Sequence, residues 1–269
     1  MALRLGIGVV TYNRKDLAAR TVDCVRRFTN HAPAELVVAD DGSTDLTAEL
    51  FRARDVCCVT GPNRGIAWNK NRALYMLSQI LNCDVTILLE DDTSPAAVGW
   101  ETEWIAAALR WGHVGFAAPW IRHSFLSGSG TAADPIVATA VTAQCAAWSR
   151  AALLSAGYFD SRFTGYGEEH MEHTMRLIRH GFGGTLAIVD GVQCDLFYLL
   201  RGALTIADAP GYFNDVQVDR NRALARELSQ DIRRREPWQD QTEKTAFTDE
   251  ISAALTLTPP MPLKPVTFL

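Results

Sequence analysis

At 269 residues, 48% of them hydrophobic, the chain is long enough to bury the core of one large domain or two small ones. Its net charge of −5 excludes a global basic field that would gather nucleic acid. No apolar stretch approaches the roughly 20 residues needed to span a bilayer.

The opening residues, Met1 to Val10, are apolar but shorter than a signal peptide, and they run into Thr-Tyr-Asn-Arg without a small-residue cleavage site. They read as the first strand of the fold. Six cysteines (Cys24, Cys57, Cys58, Cys83, Cys145 and Cys194) show neither CxxC spacing nor the pattern of a small secreted domain. Several lie in apolar segments, so reduced, buried thiols in a cytoplasmic protein are the expectation.

Leu5–Val10 is a continuous apolar run, as a buried parallel strand requires. Residues 15–28 carry Leu17, Thr21, Cys24, Val25 and Phe28 at helical spacing. A second strand over 36–39 ends in Asp40-Asp41-Gly42-Ser43-Thr44-Asp45, followed by a helix over 44–54 and a third strand over 56–60. Adjacent Cys57 and Cys58 in that strand would point to opposite faces. A longer helix over 66–81 places Ala73, Leu74, Leu77 and Leu81 inward, and a fourth strand, 85–89, follows.

The second half is less regular. Residues 100–111 read as a helix, 114–118 as a strand, and 122–135 as a Gly/Ser/Thr/Ala-rich mobile loop. Alternation over 136–148 predicts β-structure, and a short helix over 150–156 is stopped by Gly157. A further helix over 169–180 closes at Gly181, and 186–189 is another strand. Beyond Val218 a charged helix is expected to about Arg235, and the Pro-rich stretch from Thr258 to Pro265 is expected to be an extended tail.

The alternation of strand and helix through the first 120 residues predicts an open, mostly parallel sheet covered on both faces. Ligands of such sheets bind beyond the carboxyl ends of the strands. Tyr12-Asn13-Arg14, Asp40-Asp41, Asn63-Arg64-Gly65 and Glu90-Asp91-Asp92 all fall at those ends. The last group is the most informative. An apolar strand delivers three consecutive carboxylates whose mutual repulsion is costly at neutral pH, and Mg²⁺ or Mn²⁺ removes that cost. The alternative is an acidic turn capping the next helix.

These pieces in this order resemble the GT-A fold of nucleotide-sugar glycosyltransferases, especially the inverting family 2. The resemblance covers roughly residues 4–200. It is carried by Val10-Thr-Tyr-Asn-Arg14, Val37-Val-Ala-Asp-Asp-Gly-Ser-Thr-Asp45, Asn63-Arg-Gly-Ile-Ala67 with Asn71-Arg72-Ala73, Leu88-Leu-Glu-Asp-Asp92, and Gly165-Tyr-Gly-Glu-Glu-His-Met-Glu-His-Thr-Met-Arg176.

The resemblance implies that Thr11, Tyr12, Asp40 and Asp41 flank the nucleoside, and that Asn63, Gly65 and Arg72 flank nucleotide and diphosphate. An Asx turn and helix cap is the alternative for Asp40 and Asp41, and a surface helix position that for Arg72. In the acidic triplet it implies Asp92 as direct metal ligand, with Glu90 and Asp91 at ribose, sugar or metal-bound water. Glu168, Glu169 and His170 occupy the place of the base that deprotonates the acceptor hydroxyl. His170 stands where the family has Asp, so any of the three remains a candidate. The metal-binding His that often follows the next strand is missing, and Asp195 is its candidate substitute; Asp91 is a further candidate metal residue. Among the aromatics, Trp120, Trp148 and Tyr166 are candidates for a sugar-stacking wall. The loop 122–135 and the chain after Trp238 are candidate covers over bound donor.

The expectation is therefore a cytoplasmic, metal-dependent GT-A enzyme. Residues 1–120 form the nucleotide-sugar-binding half, 121–217 the acceptor and catalytic half of the same domain, and 218–269 a C-terminal helix and tail. It would transfer a sugar from a nucleoside-diphosphate donor, UDP by default, to an acceptor hydroxyl with inversion, using Mn²⁺ or Mg²⁺. Glycan, lipid, protein, small molecule and modified base are all open as acceptor. The rivals are a non-catalytic GT-A-shaped binding module and a sugar nucleotidyltransferase, whose Gly-rich N-terminal phosphate loop is absent here.

Overall fold

The computed structural model describes residues 2–189, 191–208 and 214–263. In chain order the first elements are β1 (Leu5–Thr11), α1 (Lys15–Phe28), β2 (Ala34–Asp40), α2 (Thr47–Ala53), β3 (Cys57–Thr60), α3 (Ile66–Tyr75) and β4 (Val85–Glu90). Then come β5 (Thr93–Pro95), α4 (Glu101–Trp111), β6 (His113–Phe116), β7 (Phe125–Ser127), β8 (Ile136–Ala138), β9 (Cys145–Ser149) and α5 (Arg150–Ala156). The last are α6 (Glu169–Arg179), β10 (Gly184–Val189), β11 (Val192–Leu200), β12 (Leu204–Ile206), α7 (Asp215–Leu228) and α8 (Gln241–Leu257).

One sheet runs in the order β3-β2-β1-β4-β9-β6-β11-β8-β7, with β10 on β11, while β12 and β5 form a separate ribbon. The strands β3, β2, β1 and β4 are parallel, and β9 enters antiparallel between β4 and β6. The chain moves outward from β1 to β3 and then returns to β4 on the other side of β1. The crevice between β1 and β4 is thus the topological switch point, the place where such sheets bind ligands.

Both faces of this sheet are buried, which is why its strands are continuous apolar runs rather than alternating ones. Ile7, Val9, Val38 and Ile87 pack with Val22 and Val25 of α1 and with Trp100 and Trp104. On the other face, α3 lies unusually close. A Cβ on Gly8 would meet Leu88 Cδ2 at 2.4 Å and Ala73 Cβ at 3.0 Å, so only glycine admits the helix there. Cys57 and Cys58 fall in cores on opposite faces, as the strand period requires. All six cysteines are free.

Several boundaries differ from the sequence expectation for local reasons. The helix after β2 begins at Thr47 rather than Thr44, because Asp45 accepts bonds from the Lys15 and Thr47 N–H groups and Leu46 is left-handed, at φ 68°. The last turn expected of α3, Met76–Ile80, winds as a π-helix. The 122–135 segment is not simply a loop: a 3₁₀ turn ends at Ser124, and β7 pairs with β8. The helix expected from Val218 to Arg235 runs earlier, from Asp215 to Leu228.

The largest correction is α8, a helix in the stretch after Trp238 that was expected to be a cover over bound donor. Asp240 accepts from the Glu243 N–H as its N-cap. Phe247, Ile251 and Ala254 then form one buried stripe against Val37, Val59 and Trp68. This helix is part of the core, so the chain after Trp238 does not stand free to fold over a donor. Residues 264–269 of the expected tail lie outside the described residues.

Candidate active site

The carboxyl ends of β1 and β4 meet through one bond: Thr11 Oγ1 donates to Asp91 Oδ2 at 2.8 Å. A second hydroxyl, Thr21 Oγ1 of α1, donates to the Asp91 backbone carbonyl at 2.7 Å. Arg14, at the start of α1, reaches over both acidic side chains. Its Nη1 lies 3.1 Å from Asp91 Oδ1 and 3.4 Å from Asp92 Oδ2. Burial raises the Asp91 pKa to about 6, against the lowering influence of Thr11 and Arg14.

Glu90 and Glu169 share a second cation. Lys70 Nζ of α3 is 3.0 Å from Glu169 Oε1 and 3.3 Å from Glu90 Oε1. Burial alone would raise the Glu169 pKa, but Lys70, helped by His170, holds that carboxyl well below the usual range. Burial pushes Glu90 up, with Lys70 opposing and the Asp92 and Glu169 charges adding to the rise. Desolvation would lower the Lys70 pKa, yet the two glutamates keep it above its ordinary value.

The segment before α6 is brought to the crevice by backbone contact. Ile66 N–H donates to the Gly165 carbonyl at 3.0 Å. Gly65 has φ 95°, and a Cβ there would stand 2.4 Å from the Gly165 nitrogen. From below, the buried Asn221 of α7 donates to the carbonyls of Thr164, Tyr166 and Gly167. Glu168 then takes a left-handed turn, φ 70°, and pairs with Arg222 at 3.3 Å.

Glu169 is 1% exposed at its side chain, whereas His170 is 23% exposed, with its Nδ1 3.5 Å from Glu169 Oε1. His170 is thus the member of the three with both a carboxylate behind it and open space before it. Glu172 is clasped by Arg176, and His173 Nε2 faces the Gly157 carbonyl inside the core.

The nucleoside-side candidates are more enclosed than the sequence suggested. Asp40 is 0% exposed and accepts from Ser43 and from Thr60 Oγ1. Asp41 accepts from the Arg64 and Gly65 N–H groups and from Arg72 Nη1, and burial raises its pKa against those donors. Arg72 is fully buried. It binds Asp41, Glu250 and the Asp40 and Pro62 carbonyls, so it braces the wall from beneath instead of presenting its guanidinium to the crevice. Asn63 is exposed and Tyr12 half-buried, and Asn13 ties their neighbourhood to Ser43 and Thr44.

Two expectations are corrected outright. Asp195, proposed as a metal ligand, pairs with Arg179 at 3.2 Å. Arg179 lies ten residues along α6 from Glu169, about 15 Å of helix rise. Trp148 is buried and stacks on His113 with 5.0 Å between centroids, so it offers no face to a sugar; Trp120 and Tyr166 are exposed. Among the described residues no three His, Cys, Asp or Glu side chains converge on one point.

Lys70 and Arg14 were missed as site residues. The signal was a charge imbalance: four carboxylates at one edge demand cations. Lys70 lies three residues after Ala67 and four before Leu74, on the buried side of its helix.

The sheet, the switch-point crevice and the acidic strand end define a GT-A protein. Residues 7–97 of the 269 match the family described as glycosyl transferase family 2. A mannosyltransferase from Pyrobaculum calidifontis shares the fold at TM-score 0.51 and 18% identity, covering 72% of this chain and 56% of that one. GalNAc-T7 does so at TM-score 0.54 and 15% identity, covering 93% and 55%. TarS from S. aureus follows at TM-score 0.50 and 15% identity, covering 74% and 37%. The chain therefore spans little more than half the length of these proteins at most. No curated protein matches the chain.

Proposed function

We propose that this protein transfers a sugar from a nucleoside-diphosphate donor to an acceptor hydroxyl, with inversion and with a divalent cation. The observation that carries the reading is one constellation at the switch point: Arg14 on Asp91 and Asp92, the Glu169–His170 pair, and buried Lys70 joining Glu169 to Glu90 of the same strand end. The Pyrobaculum mannosyltransferase was solved with GDP-Man and Mn²⁺, and GalNAc-T7 with UDP, GalNAc and Mn²⁺. UDP is the first nucleotide to test and GDP the second.

The residues fit a hard cation. Oxygens of Asp91 and Asp92 both reach one nitrogen of Arg14, and Mg²⁺-type sites use one or two carboxylates and complete their shell with substrate phosphates. Bound there, the cation supplies charge neutralisation of the departing diphosphate. Thr11 fixes one oxygen of Asp91, and the other meets Arg14.

His170 takes the proton of the acceptor hydroxyl as the oxygen attacks the anomeric carbon in line with the departing diphosphate. A neutral imidazole suits that task near pH 7. Glu169, kept ionised by Lys70, stands 3.5 Å from the other ring nitrogen and stabilises the imidazolium that forms. Asn221 and the Gly65–Gly165 contact keep this pair at a fixed height above β4. Six unpaired cysteines suit a reducing, cytoplasmic compartment. No helix among the described residues is long and apolar enough to cross a membrane.

Thermal shift with UDP or GDP, in Mn²⁺ and in chelator, tests the reading. Wild type should be stabilised by one nucleotide only when metal is present, by about 2.7 kcal/mol at 100 times its Kd. Asp92→Ala should lose the metal-dependent part; an equal shift in Asp92→Ala would overturn the metal assignment.

A further inference from the structure

We propose that one water molecule is built into the protein beside His170, bridging Trp148 of β9 to His173 and Thr174 of α6, and that Trp148 and His173 thereby act as positioning residues for His170. The positioning role rests on the reading of His170 as the base; the water site does not. A cavity of about 20 Å³ has Lys70, Trp148, His170, His173 and Thr174 among its walls. A space of roughly 10–15 Å³ or more holds a water when polar groups line it, and stays dry when the lining is apolar.

Two of the wall residues carry polar atoms that the protein leaves incomplete. Trp148 Nε1 and His173 Nδ1 are buried and meet no hydrogen-bond partner among the described residues. Buried polar groups of native proteins are otherwise nearly always paired. The two atoms are complementary. An indole N–H can only donate. His173 Nε2 faces the Gly157 carbonyl at 2.9 Å, and a carbonyl only accepts, so the hydrogen of the neutral ring sits on Nε2 and Nδ1 is a bare acceptor. The two rings are neighbours, with 5.9 Å between centroids. Thr174 supplies a third partner. His113 Nδ1 faces the Ala147 carbonyl, so its Nε2 accepts from the Thr174 hydroxyl at 3.3 Å, and the Thr174 oxygen keeps a lone pair for another hydrogen. A water that accepts from Trp148 and donates to His173 and Thr174 has three partners, the usual number for a buried water. His170 stands three residues before His173 on the same helix, so the bridge ties the turn that carries it to β9, the strand paired with β4.

A high-resolution crystal structure of the protein tests the site. It should show one ordered water within about 3.2 Å of both Trp148 Nε1 and His173 Nδ1; a cavity without density there overturns the proposal and leaves the donor reading standing. Transfer assays test the positioning role. Trp148→Phe removes the donor and should lower kcat about tenfold or more while nucleotide affinity and donor KM stay unchanged. In a His170→Ala background the same substitution should lower the rate no further, because the group it positions is gone. Thr174→Val removes the third partner at nearly constant volume and should show the same pattern, which keeps the test open if Trp148→Phe does not fold. An equal loss of rate in both backgrounds would mean general packing damage and would overturn the positioning role. If His170→Ala itself transfers sugar at the wild-type rate, the base reading falls and the positioning role with it, while the crystal structure still decides the water.

Discussion

Lys70 and Glu169 are 99 positions apart in sequence and 3.0 Å apart in space, their side chains 4% and 1% exposed. The pair joins α3 to the first turn of α6, and through Glu90 to the end of β4. One buried ammonium therefore holds the Glu169 carboxyl below its usual range and opposes the burial that raises Glu90.

Removing that ammonium should be costly. Lys70→Met leaves Glu90 and Glu169 buried without their cation, and the expected loss is about 3–5 kcal/mol in denaturant-induced unfolding. Adding Glu90→Gln and Glu169→Gln to it should recover part of the loss, because the uncompensated charges are gone. A Lys70→Met protein as stable as wild type would mean the pair carries no such role.

The assignment of the base is tested by rate. His170→Ala should lower transfer by about 10²–10⁴-fold while donor affinity is retained, and added imidazole should restore part of it. Glu169→Gln should also lower the rate, without rescue by imidazole. If instead Glu169→Gln abolishes transfer and His170→Ala is near wild type, the proton goes to the carboxylate.

Arg72 links the carboxyl end of β2 to α8 by binding Asp41 and Glu250, and Glu250 also accepts from the Trp68 indole. Arg72→Met strands two buried carboxylates, for an expected cost of about 3–5 kcal/mol. Limited proteolysis should then cut within 241–257 sooner than in wild type. Unchanged cleavage there would show that α8 is held by its apolar stripe alone.

Below the site, His113 is fully buried, its Nδ1 facing the Ala147 carbonyl and its Nε2 near Thr174 Oγ1. Burial lowers its pKa to about 4, and His173 beside it is lowered as well. A histidine whose folded pKa is depressed contributes stability that is complete above its unfolded pKa and is lost as pH falls. His113 should therefore contribute fully above about pH 6.5 and lose that contribution towards pH 4, on the order of 3 kcal/mol in all. Asp91, with its pKa raised, works in the opposite direction over an overlapping range. The measurement is accordingly the difference between wild type and His113→Gln in Tm against pH: it should narrow as pH drops from 7 to 4. A difference independent of pH would contradict the assignment.

Much of the first half was legible because its information is local. Parallel strands buried on both faces must be apolar throughout, and their turns must carry Gly, Asn, Asp and Ser. The four strands, α1 and the acidic end of β4 could therefore be read from period and composition alone. Even α8 left a trace in Asp240, Glu243 and the Phe247–Ile251–Ala254 spacing, outweighed by the prolines that follow.

What the chain order could not reveal was which charges meet. Nothing near Glu169 in sequence announces Lys70, and nothing near Asp91 announces that Arg14 would lie across it. Asp195 and Trp148 looked eligible by type, yet the β10–β11 hairpin places one beside Arg179 and the sheet encloses the other. The sequence determined the elements and the edge at which chemistry would gather, since periodicity and turn chemistry act over a few residues. Only the tertiary structure decided the ion pairs, because burial and Coulomb energy depend on distance in space and not along the chain.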